Sequence, residues 1–120
     1  MSNAVAHELV QKSLVGEALE HGPMAVFVAD DDGRYLAVNA YACDLLGYER
    51  DELLELRVAD VTVNEVSVPD HDEPQRRGAH SGLTDLRRKD GTELVMNYRA
   101  SETIVGGMDL YVSVCWPVAD

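Results

Sequence analysis

The sequence predicts an α+β fold, a five-stranded antiparallel sheet with short helices on one face and an amphipathic helix ahead of it. Three observations predict it. Five runs carry strand-type apolar patterning, and tight-turn signals separate them at Asp32-Gly33, Asp90-Gly91 and Gly106-Gly107. The helical signals cluster between the second and third runs rather than after every strand, which argues against a wound βαβ sheet. With 120 residues, 27% charged and 46% apolar, there is room for one ordinary core and little else.

From Val5 to His21, Val5, Leu9, Val10, Leu14, Val15, Ala18 and Leu19 recur at intervals of three and four. That spacing predicts a helix with a broad apolar stripe, ended by Gly22-Pro23. The stripe either covers the domain's own sheet or meets a partner helix, with Leu9, Val10, Leu14 and Ala18 as the contact. The division expected is residues 1–21 as this helix and 22–120 as the domain. Met24 to Ala29 is a short, almost wholly apolar strand, suited to an element covered on both faces. Asp30-Asp31-Asp32-Gly33 turns the chain into a second strand, Arg34 to Val38, because Asp-Gly accepts the positive φ of a hairpin turn.

Asn39 then suits a helix N-cap, its side-chain oxygen accepting from an unpaired amide of the first turn. Ala40, Tyr41, Cys43, Leu45 and Leu46 supply that helix's apolar face, and Gly47 ends it. Glu49 to Leu54 reads as a second short helix with acidic residues near its start, and Val58 to Thr62 as one further turn. Asn64 to Ser81, broken by Pro69 and Pro74, reads as a polar loop with a helical turn near Pro74 to Ala79. Strands follow at Leu83 to Lys89, Thr92 to Thr103 and Met108 to Val118. In the last, Leu110, Val112, Val114 and Trp116 alternate with Tyr111, Ser113 and Cys115.

A net charge of −12 repels phosphate backbones and anionic lipid, so neither nucleic acid nor a membrane surface is an expected partner. No apolar run approaches the roughly 20 residues of a spanning helix, and the first residues lack a secretory pattern. The expected compartment is therefore the cytoplasm. Cys43 and Cys115 lie in apolar segments without metal-type spacing and read as buried free thiols.

Two stretches, AVFVADDDGRYLAVNAYACDLLGYERDEL and LRRKDGTELVMNYRASE, together resemble the PAS family. The first resembles its strand, turn, strand and Asn-started helix ending in Leu-Gly-Tyr. The second resembles its Lys-Asp-Gly hairpin. The resemblance spans about Glu17 to Val118 and implies a five-stranded sheet whose helical face can enclose a small molecule. Two departures stand out. Thr62 to Gly82 is short and proline-broken where many relatives carry a longer helix, and the Cys-Trp-Pro-Val end lacks the family's Asp-Ile-Thr type of exit.

The resemblance also brings cofactor chemistry to test. Flavin-binding light sensors place a reactive cysteine in an Asn-Cys-Arg context after Leu-Gly-Tyr, and LRVADVT here has none. Haem-binding relatives place a histidine where only His71 and His80 stand, and both read as solvated surface residues. The residues support neither haem nor flavin, and the cofactor is unknown. Asp70, His71, Asp72 and Glu73 read as a solvated loop rather than a metal site, since adjacent side chains diverge. No nucleophile elbow or phosphate loop occurs, so no enzyme is expected. By position, a pocket wall is expected at Val61, Val66, Leu83, Met96, Tyr98, Val112 and Val114. The function expected is a non-enzymatic sensory and interaction module, homodimeric or bound to a signalling partner. The alternative is a ligand-free dimerisation domain of a larger histidine kinase, cyclase or transcription regulator.

Overall fold

The computed structural model describes residues 3–63 and 79–118. Helix α1 (Asn3–Glu20) leads into strand β1 (Ala25–Asp30) and strand β2 (Tyr35–Val38). Three short helices follow, α2 (Ala40–Leu46), α3 (Arg50–Leu53) and α4 (Val58–Val61). Strands β3 (Ala79–Arg87), β4 (Glu93–Val105) and β5 (Met108–Pro117) complete one antiparallel sheet in the order β2-β1-β5-β4-β3. This is the expected five-stranded α+β architecture.

Local chemistry explains the tight corners. The Asp30 carboxylate accepts the backbone N–H groups of Asp32 and Arg34, both at 2.9 Å, and Gly33 turns the chain at φ 82°. Asn39 caps α2, and Gly47 ends it at φ 80° with its N–H bonded to the Cys43 carbonyl. A reciprocal capping box between Glu49 and Glu52 starts α3.

Asn39 does more than cap. It is the one buried polar side chain of the described core, and its amide makes four hydrogen bonds. Oδ1 accepts from Ala42 N–H at 3.1 Å and from Val26 N–H at 3.0 Å. Nδ2 donates to the carbonyls of Leu19 and of Met24, the latter at 2.9 Å. One side chain therefore joins α1, β1 and α2. Below it, Leu46, Leu53, Met96 and Val61 are fully buried and anchor the helices on the sheet.

Several elements differ from the sequence expectation. Strand β3 begins at Ala79, four residues before Leu83. Ala79 to Gly82 lack strand-type apolar residues, yet the long β4 offers an open ladder, and they pair with Ser101 to Tyr98. The helical turn expected near Pro74 lies outside the described residues. β1 is not covered on both faces: Ala25, Phe27 and Ala29 are buried while Val26 and Val28 are half-buried. Within α2 the buried residues are Ala42 and Leu46, and Cys43 is only half-buried. Ala42, absent from the expected face, turns inward because the Asn39 cap sets the helix's rotation.

The α1 stripe does not cover the sheet. Leu9, Val10 and Leu14 are 62%, 53% and 58% exposed, and Ala18 is exposed as well. Among the described residues, no helix is long and apolar enough to cross a membrane.

Replacing Asn39 with Ala removes a cap and strands buried backbone groups at Val26 and Met24. The expected loss is about 2–4 kcal/mol of unfolding free energy in urea titration. A loss below about 0.5 kcal/mol would mean that water replaces the network without cost.

Candidate functional site

Antiparallel register assigns every strand residue a face. On the helical side, Ala25 and Tyr98 flank Cys115, Phe27 and Ala100 flank Ser113, and Ala29 and Glu102 flank Tyr111. Small residues in the middle of these rows leave space that the short helices do not fill. A cavity of about 130 Å³ results. Its floor is Phe27, Ala29, Thr84, Leu86, Tyr98, Ala100, Tyr111, Ser113 and Cys115. Its other walls are Tyr35, the turn residues Asp30, Asp31 and Gly33, and Val58 and Thr62 around α4.

The turn is held over the cavity by backbone bonds rather than by packing. Val58 N–H donates to the Gly33 carbonyl at 2.8 Å, and Tyr35 N–H donates to Leu56 at 3.3 Å. Aromatic contacts stiffen the interior, with Phe27 and Tyr35 at a ring-centroid distance of 5.4 Å. Tyr98 meets His80 edge-on, its hydroxyl 3.1 Å from His80 Nδ1. His80 is therefore half-buried and partnered, not a solvated surface histidine; His71 lies outside the described residues.

Burial shapes the electrostatics. It pushes the Cys115 thiol up to about 11, and it raises Tyr35 with help from nearby Cys115 and Asp60. Tyr111 is raised by desolvation first, then by the charges of Glu102 and Asp109, its hydrogen bond to Glu102 and the charge of Asp31. Among the described residues, no lysine, arginine or histidine lines the cavity. At its rim the carboxylates of Asp30, Asp31 and Asp32 lie within 4.8 Å of one another. A thiol held protonated at neutral pH is a poor nucleophile.

Of the residues expected at a pocket wall, Tyr98 lines the cavity. Val61 and Met96 are buried in the core beside it, and Leu83 stands 63% exposed on the sheet's other face. Val112 and Val114 also face away, because the inward residues of β5 are Tyr111, Ser113 and Cys115. Val66 lies outside the described residues. The wall residues that were missed are mostly small or polar: Ala29, Ala100, Ser113 and Thr84. Their smallness was the available signal, since a concave face needs short side chains where a bulky one would fill it.

A family model described as the PAS fold matches residues 19–95, more than half of the chain. The chain belongs to the PAS family. Solved structures agree on the fold. A PAS domain from a two-component sensor histidine kinase aligns with TM-score 0.77 at 17% identity, over 90% of this chain and 96% of its own. The PAS domain of an HTR-like protein from Haloarcula marismortui gives 0.75 at 18% identity, over 98% and 100%. That of nitrogen regulation protein NR(II) from Vibrio parahaemolyticus gives 0.74 at 13%, over 88% and 98%. No curated protein matches the chain at a significant level. In this PAS domain the cavity therefore sits between sheet and helices, where the family resemblance places a small-molecule pocket.

The raised thiol has a consequence for stability. Below its ordinary value of 9.0, Cys115 keeps its proton in both folded and unfolded chains and exerts no pH effect. As pH rises from about 9 to about 11 the unfolded chain ionises first, so the folded state loses about 2–3 kcal/mol. Tyr35 acts in the same direction at higher pH. The melting temperature of the wild type should be flat to about pH 9 and then fall, with a shallower fall in Cys115→Ala.

Proposed function

We propose that this PAS domain is a non-enzymatic sensory module of signal transduction that binds a small molecule between sheet and helices. The observation that carries the reading is the aromatic-lined cavity of about 130 Å³, bounded by α4 and by the turn at Gly33, which a backbone hydrogen bond ties to α4. A ligand there touches the sheet, the turn and the helix layer at once. Occupancy then biases the arrangement of these elements, because only differential contacts with two states can shift their balance.

Output in this reading runs through a second copy or a signalling partner in the cytoplasm. Leu9, Val10, Leu14 and Ala18 on α1 supply the dimer contact, an argument supported by their exposure and by the cost of leaving such a stripe in water. The alternative of a ligand-free dimerisation domain predicts the same contact without an occupied cavity.

Two measurements separate these readings. In the first, a small-molecule panel raises the melting temperature of the wild type, and Ala100→Leu, which fills the cavity, removes the response. A wild type indifferent to every compound favours the ligand-free domain. In the second, light scattering gives a dimer mass for the wild type and a monomer mass for Leu9→Glu with Leu14→Glu. Both positions are exposed, so the variant keeps its fold. A dimer that survives both substitutions places the contact elsewhere.

A further inference from the structure

The chain's few aromatic side chains gather at one place. Three of its five tyrosines and its single phenylalanine line the cavity, as Tyr35, Tyr98, Tyr111 and Phe27. They come from four different strands, β2, β4, β5 and β1. Phe27 and Tyr35 already meet in a tilted pair, their ring centroids 5.4 Å apart at an interplanar angle of 35°. Beside Phe27 the floor is low, because the short side chains of Ser113 and Ala100 follow it across the sheet. A slot floored by small residues and walled by rings offers aromatic faces and edges to its occupant.

Resting on the reading of the cavity as a ligand site, we infer that its ligand is a neutral molecule with a single aromatic ring. Aromatic rings prefer offset or edge-to-face contacts at centroid distances of roughly 4.5–7 Å, and a ring on the Ser113–Ala100 floor extends the Phe27–Tyr35 arrangement. A saturated ring of similar size buries similar apolar area and lacks those contacts. A charged group sheds its hydration on entry, a cost that a neutral ring does not carry. The carboxylate of Asp30, which belongs to the wall, is already engaged by its own turn, through the N–H groups of Asp32 and Arg34. Size agrees with one ring. A cavity of roughly 150 Å³ accommodates benzene, and this one measures about 130 Å³. The exposed Asp31 marks the side open to solvent, where a small substituent on the ring stays hydrated.

The test titrates isotope-labelled protein with benzyl alcohol, with its saturated counterpart cyclohexylmethanol and with its cationic counterpart benzylammonium, following backbone amides by NMR. Wild type should bind benzyl alcohol about two- to ten-fold more tightly than cyclohexylmethanol, the preference that aromatic contacts add to buried area. It should also bind benzyl alcohol more tightly than benzylammonium, and the amides of Ala100 and Ser113 should shift. Tyr98→Leu should narrow the aromatic preference, and Ala100→Leu should abolish binding. Equal affinity for the saturated ring overturns the aromatic class while the cavity reading stands. Tighter binding of benzylammonium overturns the neutral class and likewise leaves the cavity reading in place. If no probe binds, the inference fails, and the melting-temperature panel decides the cavity reading separately. Shifts confined to residues outside the wall put the ligand elsewhere and overturn the inference, an outcome read on wild type and independent of whether any variant folds.

Discussion

Asn39 carries an amide with two donors and two acceptor lone pairs, and all four find partners inside the protein. Two of the bonds reach backward to the carbonyls of Leu19 and Met24, one reaches Val26 in β1, and one caps α2. A buried amide is costly unless its bonds are complete. Completing them here requires the end of α1, the start of β1 and the first turn of α2 to occupy one arrangement. These bonds thereby fix the position of the helix layer over the sheet. Leu46 and Leu53 then drop into the core, and the Leu46 carbonyl receives the Lys89 N–H at 2.8 Å, tying α2 to the β3–β4 hairpin.

That placement creates the cavity. Helices α2, α3 and α4 are short, four to seven residues each, and they cover the sheet incompletely. Where Leu46, Leu53 and Val61 reach the sheet, the interior is solid. Where Ala29, Ala100 and Ser113 face the Gly33 turn, it is not. The distinction rests on side-chain length, because backbone spacing within a sheet is constant. The turn that closes the cavity is strung on backbone hydrogen bonds to α4 and its lead-in, an attachment that costs little to rearrange compared with a packed core. This is the physical basis for expecting occupancy to be felt outside the cavity.

The two faces of the sheet divide the labour. The helical face carries the core and the cavity. The other face presents Val26, Val28, Val112, Val114 and Trp116, each half-buried, and Leu83 at the edge. The exposed stripe of α1 adds further apolar surface outside the core.

Element order, the Asp-Gly turns, the Asn39 cap and the Gly47 stop were legible in the sequence, because each depends on φ preferences and hydrogen bonds among near neighbours. So was the alternation along β5. Its sense was not: Val112 and Val114 were read as wall residues, and pairing with Ala100 and Ala29 turned Ser113 and Tyr111 inward instead. Period-two alternation is symmetric under exchange of faces, and only the helices' docking breaks that symmetry. The early start of β3 likewise depended on a distant strand offering its ladder to residues without strand character of their own. Local chemistry thus set the elements and their order, whereas the cavity and its aromatic lining arise from contacts between residues far apart in the chain, which no local pattern encodes.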